Sequence, residues 1–238
     1  LTPDDTPAYA VELVAAKAGP ISTTSGLTLF AARSFGELTR EDLKAVDTFL
    51  VSGGQGTRAL EHDAAHIDFI RRASPLARRT ASICTGALLL AAAGVLDGKR
   101  AATHWAFAPM LARDYPAVTV DGDAIFVRDG TVWTSAGVTA GMDLALALVE
   151  DDLGRDMALG LARQHVMYLM RPGGQSQFSA QLAAQGVDDE RIAQVCSYII
   201  TNPRADLTVP HLADVARMSE RNFARRFTES ASMTPALF

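Results

Sequence analysis

Hydrophobic residues before Leu153 form two kinds of pattern that follow one another along the chain. Short apolar or alternating runs predict strands at Tyr9–Ala15, Leu27–Ala31, 46–51 and Thr80–Cys84. Apolar residues at helical spacing predict helices at Ala59–Ala73, Gly86–Ala93, Ala106–Arg113 and from Met142 to about Glu150. Strands that alternate with helices are typical of a doubly wound α/β sheet with helices on both faces.

The run "AIFVRDGTVWTSAG" predicts a β-hairpin with Asp129–Gly130 as its turn. After Leu153 the pattern is helical only. A helix is expected over Asp189–Ile200, ended by Asn202–Pro203. The chain therefore changes from an α/β part to an all-helical part.

The segment "LTVPHLADVARMSERNFARRFTESASMTP" predicts two short helices joined by a tight turn at Met218–Ser219. Thr208 is expected to cap the first helix and Ser219 the second. Phe223 and Phe227 are one helical turn apart, which places both on the inward face of the second helix. A short helix, a turn and an arginine-rich second helix are the ingredients of a helix-turn-helix.

Composition and charge narrow the class of protein. The 238 residues suit one large and one small domain, and 48% apolar with 21% charged residues is typical of a globular chain. No apolar run is long enough for a membrane span and no signal peptide is apparent, so no membrane partner is expected. The two cysteines suggest no disulfide framework, so we expect a reducing, cytoplasmic compartment. A net charge of −5 excludes a uniformly basic nucleic-acid binder, but residues 218–228 carry three arginines against one glutamate.

Cys84 lies between a predicted strand and an apolar helix in "TASICTGALLLAAAG", with small residues beside it. A strand that turns sharply into a helix forces its apex residue into a strained backbone conformation and needs small neighbours. Gly53, Gly54 and Thr85 are expected to point backbone N–H groups into the same crevice, as an oxyanion hole or a carboxylate-binding nest. Three roles of the cysteine stay open here: nucleophile, ligand-sensing thiol or buried structural residue.

His104, in "AATHWAF", is the candidate general base for Cys84, although a histidine beside a tryptophan is commonly structural. His62 and His66 have a spacing that can bind metal, but no third ligand accompanies them, and a solvated helix face is favoured. Cys84 and Cys196 lie far apart and neither has a metal ligand at the usual spacing. We therefore expect no disulfide, no metal and no cofactor.

The segments "ASICTGALLLAAAGVLDGKRAATHW" and "VDGDAIFVRDGTVWTSAGVTAGMDLALALVE" resemble the ThiJ/PfpI superfamily, relatives of the class I glutamine amidotransferases. The C-terminal segment is similar to the first helix-turn-helix of the AraC family. This order of segments, with "RPGGQSQF" between them, looks like AraC-type regulators that carry an amidotransferase-like N-terminal domain.

The resemblance implies a flavodoxin-like sheet in a domain at 1–171, a linker at 172–188 and an AraC-type DNA-binding domain at 189–238. It also leads us to expect trimmed termini, with the family's first strand and helix and its second helix-turn-helix outside this sequence. In enzymatic members of the superfamily, that first segment supplies a carboxylate near the elbow cysteine.

The same resemblance implies a transcription regulator that binds double-stranded operator DNA as a homodimer. Arg221, Asn222 and Arg225 fall on the side of the second helix that reads bases in the AraC family, Arg226 is placed for phosphate, and Ser219 begins the same DNA-binding surface.

The large domain is expected to sense a small metabolite, to dimerise, or to do both, rather than to catalyse a reaction. Its ligand would lie in a crevice formed by Gly53, Gly54, Cys84, Thr85 and His104. The alternative is a thiol-dependent hydrolase, hydratase or amidase that uses Cys84, with His104 as its base.

Overall fold

The structure is a computed structural model that describes residues 6–23, 25–169, 174–175, 189–202, 204–231 and 234–236. The chain divides into two compact units, 1–172 and 173–238. The linker predicted at 172–188 falls outside the described residues, apart from positions 174 and 175. Each unit is therefore considered by itself.

The first unit contains short strands and helices in alternation. The strands are β1 (Val14–Ala15), β2 (Gly19–Ser22), β3 (Thr28–Ala31), β4 (Arg33–Ser34), β5 (Thr48–Val51), β6 (Arg79–Ile83), β7 (Arg100–Ala101), β8 (Thr119–Val120), β9 (Phe126–Asp129) and β10 (Val132–Ser135). The helices are α1 (Arg40–Lys44), α2 (Thr57–Leu60), α3 (Ala64–Ala73), α4 (Gly86–Ala92), α5 (Ala108–Asp114), α6 (Val138–Leu153) and α7 (Arg155–Gln164). A 3-10 turn at Trp105–Phe107 precedes α5.

The central sheet has the strand order β5-β6-β10-β9, in which only β9 is antiparallel to its neighbour. Adjacent residues of β10 face opposite sides: Val132 packs in a core with α3, α4 and α5, whereas Trp133 packs against Leu144 and Leu148 of α6. Helices therefore cover both faces, and the predicted doubly wound arrangement is confirmed. Smaller ladders join β1 to β4, β2 to β3 and β7 to β8.

A charged cluster fixes the end of the sheet at which β6 begins. The guanidinium of Arg79 is 3% exposed, pairs with Asp152 and lies over the Trp133 ring. Tyr9 donates a hydrogen bond of 2.9 Å to Asp152, and partial burial together with this carboxylate raises the pKa of Tyr9 to about 12. The cluster thus joins the N-terminal segment, β6 and the end of α6.

Two predicted elements are shorter than expected. The strand predicted at Tyr9–Ala15 pairs only at Val14–Ala15, because β4 offers it a parallel partner of just two residues. The helix predicted at Ala59–Ala73 is interrupted, because Asp63 accepts a hydrogen bond from the His66 N–H and so caps a new helix, α3.

Two boundaries also differ from the prediction. In the hairpin, Asp129 pairs with Val132 in the ladder, so the turn residues are Gly130 and Thr131, not Asp129 and Gly130. Helix α6 begins at Val138, ahead of the predicted Met142, since the chain leaves β10 directly into the helix through Gly137.

The second unit is helical in the residues described, with α8 (Glu190–Thr201), α9 (Val209–Val215) and α10 (Glu220–Ala231). Asp189 caps α8, in agreement with the helix start predicted at this residue. Fully buried side chains of all three helices form one core, including Ile192, Leu212, Phe223 and Phe227. The inward orientation predicted for the two phenylalanines is confirmed.

Thr208 occupies the predicted cap position of α9, but its side chain makes no capping hydrogen bond. Pro210 lies in the first helical turn and lacks the N–H that a cap side chain commonly binds. The Thr208 N–H instead donates to Asp206 at 2.9 Å.

Candidate functional site

Cys84 forms the sharp turn between β6 and α4. Its φ of +57° is a left-handed conformation that side chains other than glycine rarely adopt. Its N–H donates to the carbonyls of Ser135 (3.1 Å) and Ala136 (2.8 Å), and its own carbonyl accepts a hydrogen bond of 2.9 Å from the Thr103 hydroxyl. These bonds hold the strained backbone and leave the thiol half-buried at the end of the sheet.

Two glycines allow the glycine loop to lie directly against this turn. A Cβ on Gly86 would come within 2.3 Å of the Val51 carbonyl oxygen, and one on Gly53 within 2.6 Å of the Thr85 nitrogen. Both contacts are with backbone atoms that have little freedom to shift. The sequence therefore needs glycine at both positions to bring the end of β5 against the start of α4.

The predicted nest of N–H groups requires one correction. The Gly54 N–H donates to the Thr85 hydroxyl at 2.9 Å, so it is already used and is not a free donor. The Thr85 hydroxyl also lies 3.0 Å from the Thr57 hydroxyl. Gly54 and Thr57 therefore position the loop over the turn, and Gly54 does not supply a ligand donor.

His104 is oriented by the backbone and not by a carboxylate. Its Nδ1 accepts a hydrogen bond of 3.3 Å from the Ala106 N–H, which in a neutral ring places the proton on Nε2. The ring packs against Gly137 at the start of α6, where an added Cβ would lie 3.2 Å from Cδ2. Within the described ranges, His104 accepts a hydrogen bond from the Ala106 N–H and the Cys84 carbonyl accepts one from the Thr103 hydroxyl, and in this neutral tautomer Nε2 is the donor atom of the His104 ring.

The other two candidate histidines, His62 and His66, lie in a turn and in a helix, respectively. His66 lies on α3 and its Nδ1 is 2.6 Å from the Asp63 carboxylate, whereas His62 precedes the helix. Among the residues that the structure describes, no three His, Cys, Asp or Glu side chains are grouped to hold a metal ion. In the same residues no helix is long and apolar enough to cross a bilayer.

In the second unit, the turn between α9 and α10 is closed by backbone hydrogen bonds. The Met218 N–H donates to the Ala213 carbonyl (2.9 Å) and the Arg217 N–H to that of Asp214 (3.0 Å), a Schellman motif. Arg217 has a φ of +53°, the conformation in which glycine is usual. The turn therefore begins at Arg217, one residue before the predicted Met218.

The outward face of α10 carries the predicted DNA-binding residues. Arg221 and Arg225 are exposed and Asn222 is half-buried, on the side opposite Phe223 and Phe227. Ser219, just before the helix, is exposed, and its carbonyl accepts a hydrogen bond from the Phe223 N–H.

Two arginines of this helix have partners that the sequence did not reveal. Arg225 binds both carboxylate oxygens of Glu229, at 2.8 and 2.7 Å, and also contacts the Asn222 side-chain oxygen. Arg226 forms an ion pair of 2.6 Å with Asp189, the cap of α8, so in this structure it supports the packing of α10 on α8.

Comparison with known proteins identifies the family of the first unit. The model of the DJ-1/PfpI family matches residues 7–151. The chain belongs to the DJ-1/PfpI family. Isonitrile hydratase from Pseudomonas putida is 41% identical over 152 residues, which are 64% of this chain and 63% of that protein.

Relatives that align with nearly the whole chain are named HTH-type transcriptional regulators. CdhR from Pseudomonas aeruginosa is 29% identical over 97% of this chain and 66% of its own length, and GlxA from Rhizobium meliloti is 28% identical over 94% and 67%. The chain thus spans about two thirds of the length of these relatives. The resemblance to regulators with an amidotransferase-like domain is confirmed.

Solved structures show the same fold. A ThiJ/PfpI family protein from Pseudomonas syringae superposes with a TM-score of 0.57 at 24% identity, over 94% of this chain and 79% of its own. An AraC family transcriptional regulator from Pseudomonas putida gives a TM-score of 0.51 at 24% identity, over 63% and 77%. The predicted ThiJ/PfpI-type α/β fold is confirmed.

Sequence reasoning missed the residues that support the site. Thr57 contacts the Thr85 hydroxyl beside the glycine loop, and Thr103 donates to the Cys84 carbonyl. Gly137 lies against the His104 ring. Thr57 follows the glycine loop and Thr103 immediately precedes His104 in the sequence, so a search for hydroxyl side chains beside the two motifs would have found both.

Proposed function

We propose that this chain is a sequence-specific DNA-binding transcription regulator that reads the major groove with α10. The observation that carries the proposal is the division of this helix into two faces. Phe223 and Phe227 are fully buried, while Arg221, Asn222 and Arg225 face outward. Arginine recognises guanine and asparagine recognises adenine through bidentate hydrogen bonds, so this face has the chemistry of base recognition.

The packing of α9 and α10 supports this reading. Leu212 and Ala213 of α9 share a buried core with the two phenylalanines, and the Schellman turn fixes the angle between the helices. A recognition helix must be held rigidly while its outer face enters the groove. The names of relatives that align with nearly the whole chain support the same function.

For the first unit we propose a sensory role. A small effector would bind beside Cys84, with the N–H groups of Gly53 and Thr85 and the His104 Nε2–H as donors. His104 supports binding because its tautomer, set by the Ala106 N–H, makes Nε2 a donor. We also propose that the regulator acts as a homodimer, since helix-turn-helix proteins commonly read paired half-sites.

A second function is favoured by one observation. The first unit is 41% identical to an isonitrile hydratase over 152 residues, and its only half-exposed thiol in the described ranges is Cys84. We therefore propose as the alternative that the unit hydrates an isonitrile or a related small substrate with Cys84. The orientation of His104 supports the sensor more than the enzyme.

DNA binding is tested by selection of random duplexes with the full chain, followed by anisotropy titration of the recovered sequence. Arg225→Ala should weaken this complex by about 1–3 kcal/mol, the value of a bidentate base contact. Arg113→Ala, an exposed arginine of the first unit, should bind like the wild type. Recovery of no preferred sequence, or equal binding by Arg225→Ala, would overturn the proposal.

The role of the first unit is tested with Cys84→Ser. The enzyme is favoured if the wild-type chain hydrates an isonitrile, the variant does not, and the transcriptional response of the two is the same. If the wild-type chain hydrates no isonitrile, and its transcriptional response to cell metabolites is lost in Cys84→Ser, the sensor is favoured. Trp105 lies 5.5 Å from the His104 ring, so its fluorescence provides a binding signal for either ligand.

A further inference from the structure

The second unit contains an open groove of about 500 Å³ between α8 and the end of α9. Its lining residues are Arg191, Gln194, Val215, Ala216 and Arg217. The ion pairs described in this unit join Arg225 to Glu229 and Arg226 to Asp189. Among the described residues, both groove arginines are therefore without a carboxylate partner.

Arg217 occupies a position that does not favour arginine. It is the left-handed residue after α9, with a φ of +53°, where glycine is the usual residue because it has no Cβ. Its side chain is exposed and adds nothing to the buried core. Local structure alone would therefore select glycine or asparagine here.

Arg191 is also locally disfavoured. It is the second residue of α8, after the cap Asp189 and Glu190. The start of a helix carries a partial positive charge, which favours acidic side chains and disfavours a cation. Two arginines in unfavourable positions thus line the same groove, and a shared ligand of negative charge explains both.

We propose that this groove holds the sugar–phosphate backbone of duplex DNA, with Arg191 and Arg217 each neutralising one phosphate and Gln194 donating a hydrogen bond. The proposal rests on the proposed DNA-binding function and adds a surface to it. Arg217 lies three residues before Glu220, the first residue of α10, so the groove lies next to the start of the reading helix along the chain. Backbone contacts that flank a recognition helix set its register on the duplex.

The test uses the full chain and a selected duplex, titrated between 50 and 200 mM salt, the range over which phosphate contacts change affinity strongly. The slope of log K against log salt is negative, and each lost phosphate contact reduces its magnitude by about 0.9. Arg191→Gln and Arg217→Gly should each reduce that magnitude by this amount, and the double variant by about 1.8. The loss should be equal on selected and random duplexes, because phosphates carry no sequence information.

Two controls separate this contact from a folding defect. Arg217→Lys keeps the charge and should keep the salt slope of DNA binding. Arg113→Gln removes a charge from the first unit and should leave that slope unchanged. Arg217→Gly and Arg191→Gln relieve local conflicts, so thermal stability should stay equal or rise while DNA affinity falls.

The outcomes distinguish the two proposals. A wild-type chain that binds the duplex, with an unchanged salt slope in the double variant, would overturn the groove and leave the recognition helix in place. Loss of binding together with a lower melting temperature would also overturn it, because it would assign both arginines to folding. No duplex binding by the wild type at any salt concentration would overturn both.

Discussion

Arg225 is held by Glu229 on the outward face of α10, with its Nη1 atom 2.8 and 2.7 Å from the two carboxylate oxygens. Both side chains are more than half exposed, so water screens the pair and its contribution to stability is about 0.3–0.5 kcal/mol. The arginine also comes before the glutamate along the helix, the less favourable order for such a pair. A weak pair of this kind can be exchanged for a contact with DNA.

The first prediction follows from this exchange. Glu229→Gln should strengthen binding to random duplexes, because it frees Arg225 for phosphates and removes a negative charge from the outward face of α10. The magnitude of the negative slope of log K against log salt should rise by up to about 0.9, the value of one additional phosphate contact. The ratio of selected to random affinity should fall.

Anisotropy titrations on both duplexes measure these changes. Glu41→Gln, an exposed glutamate of α1, removes the same charge from the first unit and is the matched control. Unchanged affinity of Glu229→Gln for random duplexes would show that the glutamate does not restrain Arg225.

The second prediction concerns the two thiols. Cys84 is half-buried at its turn, whereas Cys196 is fully buried in the helical core, and burial raises the pKa of its thiol to about 11. Since the thiolate is the reactive form, iodoacetamide should modify only Cys84 in the folded chain. Mass spectrometry should find one adduct in the wild type and in Cys196→Ser, and none in Cys84→Ser. An adduct on Cys196 in the native protein would contradict this.

The alternation of strands and helices could be predicted because it depends on local periodicity. The turn at Cys84 could also be predicted, since small residues beside the cysteine are a local requirement of that backbone. The break at Asp63 was missed although its signal is local: an aspartate just before a helical run is a strong cap.

Other features depend on residues far apart in the chain and could not be predicted from one sequence. Arg79 pairs with Asp152, which follows it by 73 positions, and no local pattern joins them. The sequence predicted a free Gly54 N–H, but in the folded chain this group donates to the Thr85 hydroxyl. Such contacts are fixed by tertiary packing and not by periodicity.

The third prediction is a loss of stability in acid. Asp47 receives two hydrogen bonds from Arg78, of 2.6 and 2.9 Å, and these lower its pKa to about 2. A carboxylate whose pKa is lower in the folded chain stabilises it above its unfolded pKa, near 4, and this stabilisation is lost as the pH falls towards 2. Because the carboxylate is 56% exposed, the contribution is at most about 1 kcal/mol.

Asp47→Asn should therefore lower the free energy of unfolding at pH 6, and its difference from the wild type should shrink as the pH falls below about 4. Urea unfolding followed by tryptophan fluorescence measures it, because Trp105 and Trp133 both belong to the first unit. A difference that stays constant from pH 6 to the acid range would show that the ion pair does not carry it.

The fourth prediction compares two helical glycines of the first unit. Gly86→Ala places a Cβ 2.3 Å from the Val51 carbonyl oxygen, so β5 and α4 must separate, at a cost of about 1–3 kcal/mol or more. Gly160 lies in α7 with no atom near its added Cβ, and Gly160→Ala should stabilise the chain by about 0.5–1 kcal/mol. Tryptophan-detected urea unfolding should give opposite signs for the two variants.

Because α4 begins at the Cys84 turn, Gly86→Ala should also change the rate of Cys84 alkylation, whereas Gly160→Ala should leave it unaltered. Equal stability effects of the two substitutions would refute the close approach of β5 to α4 at the Cys84 turn.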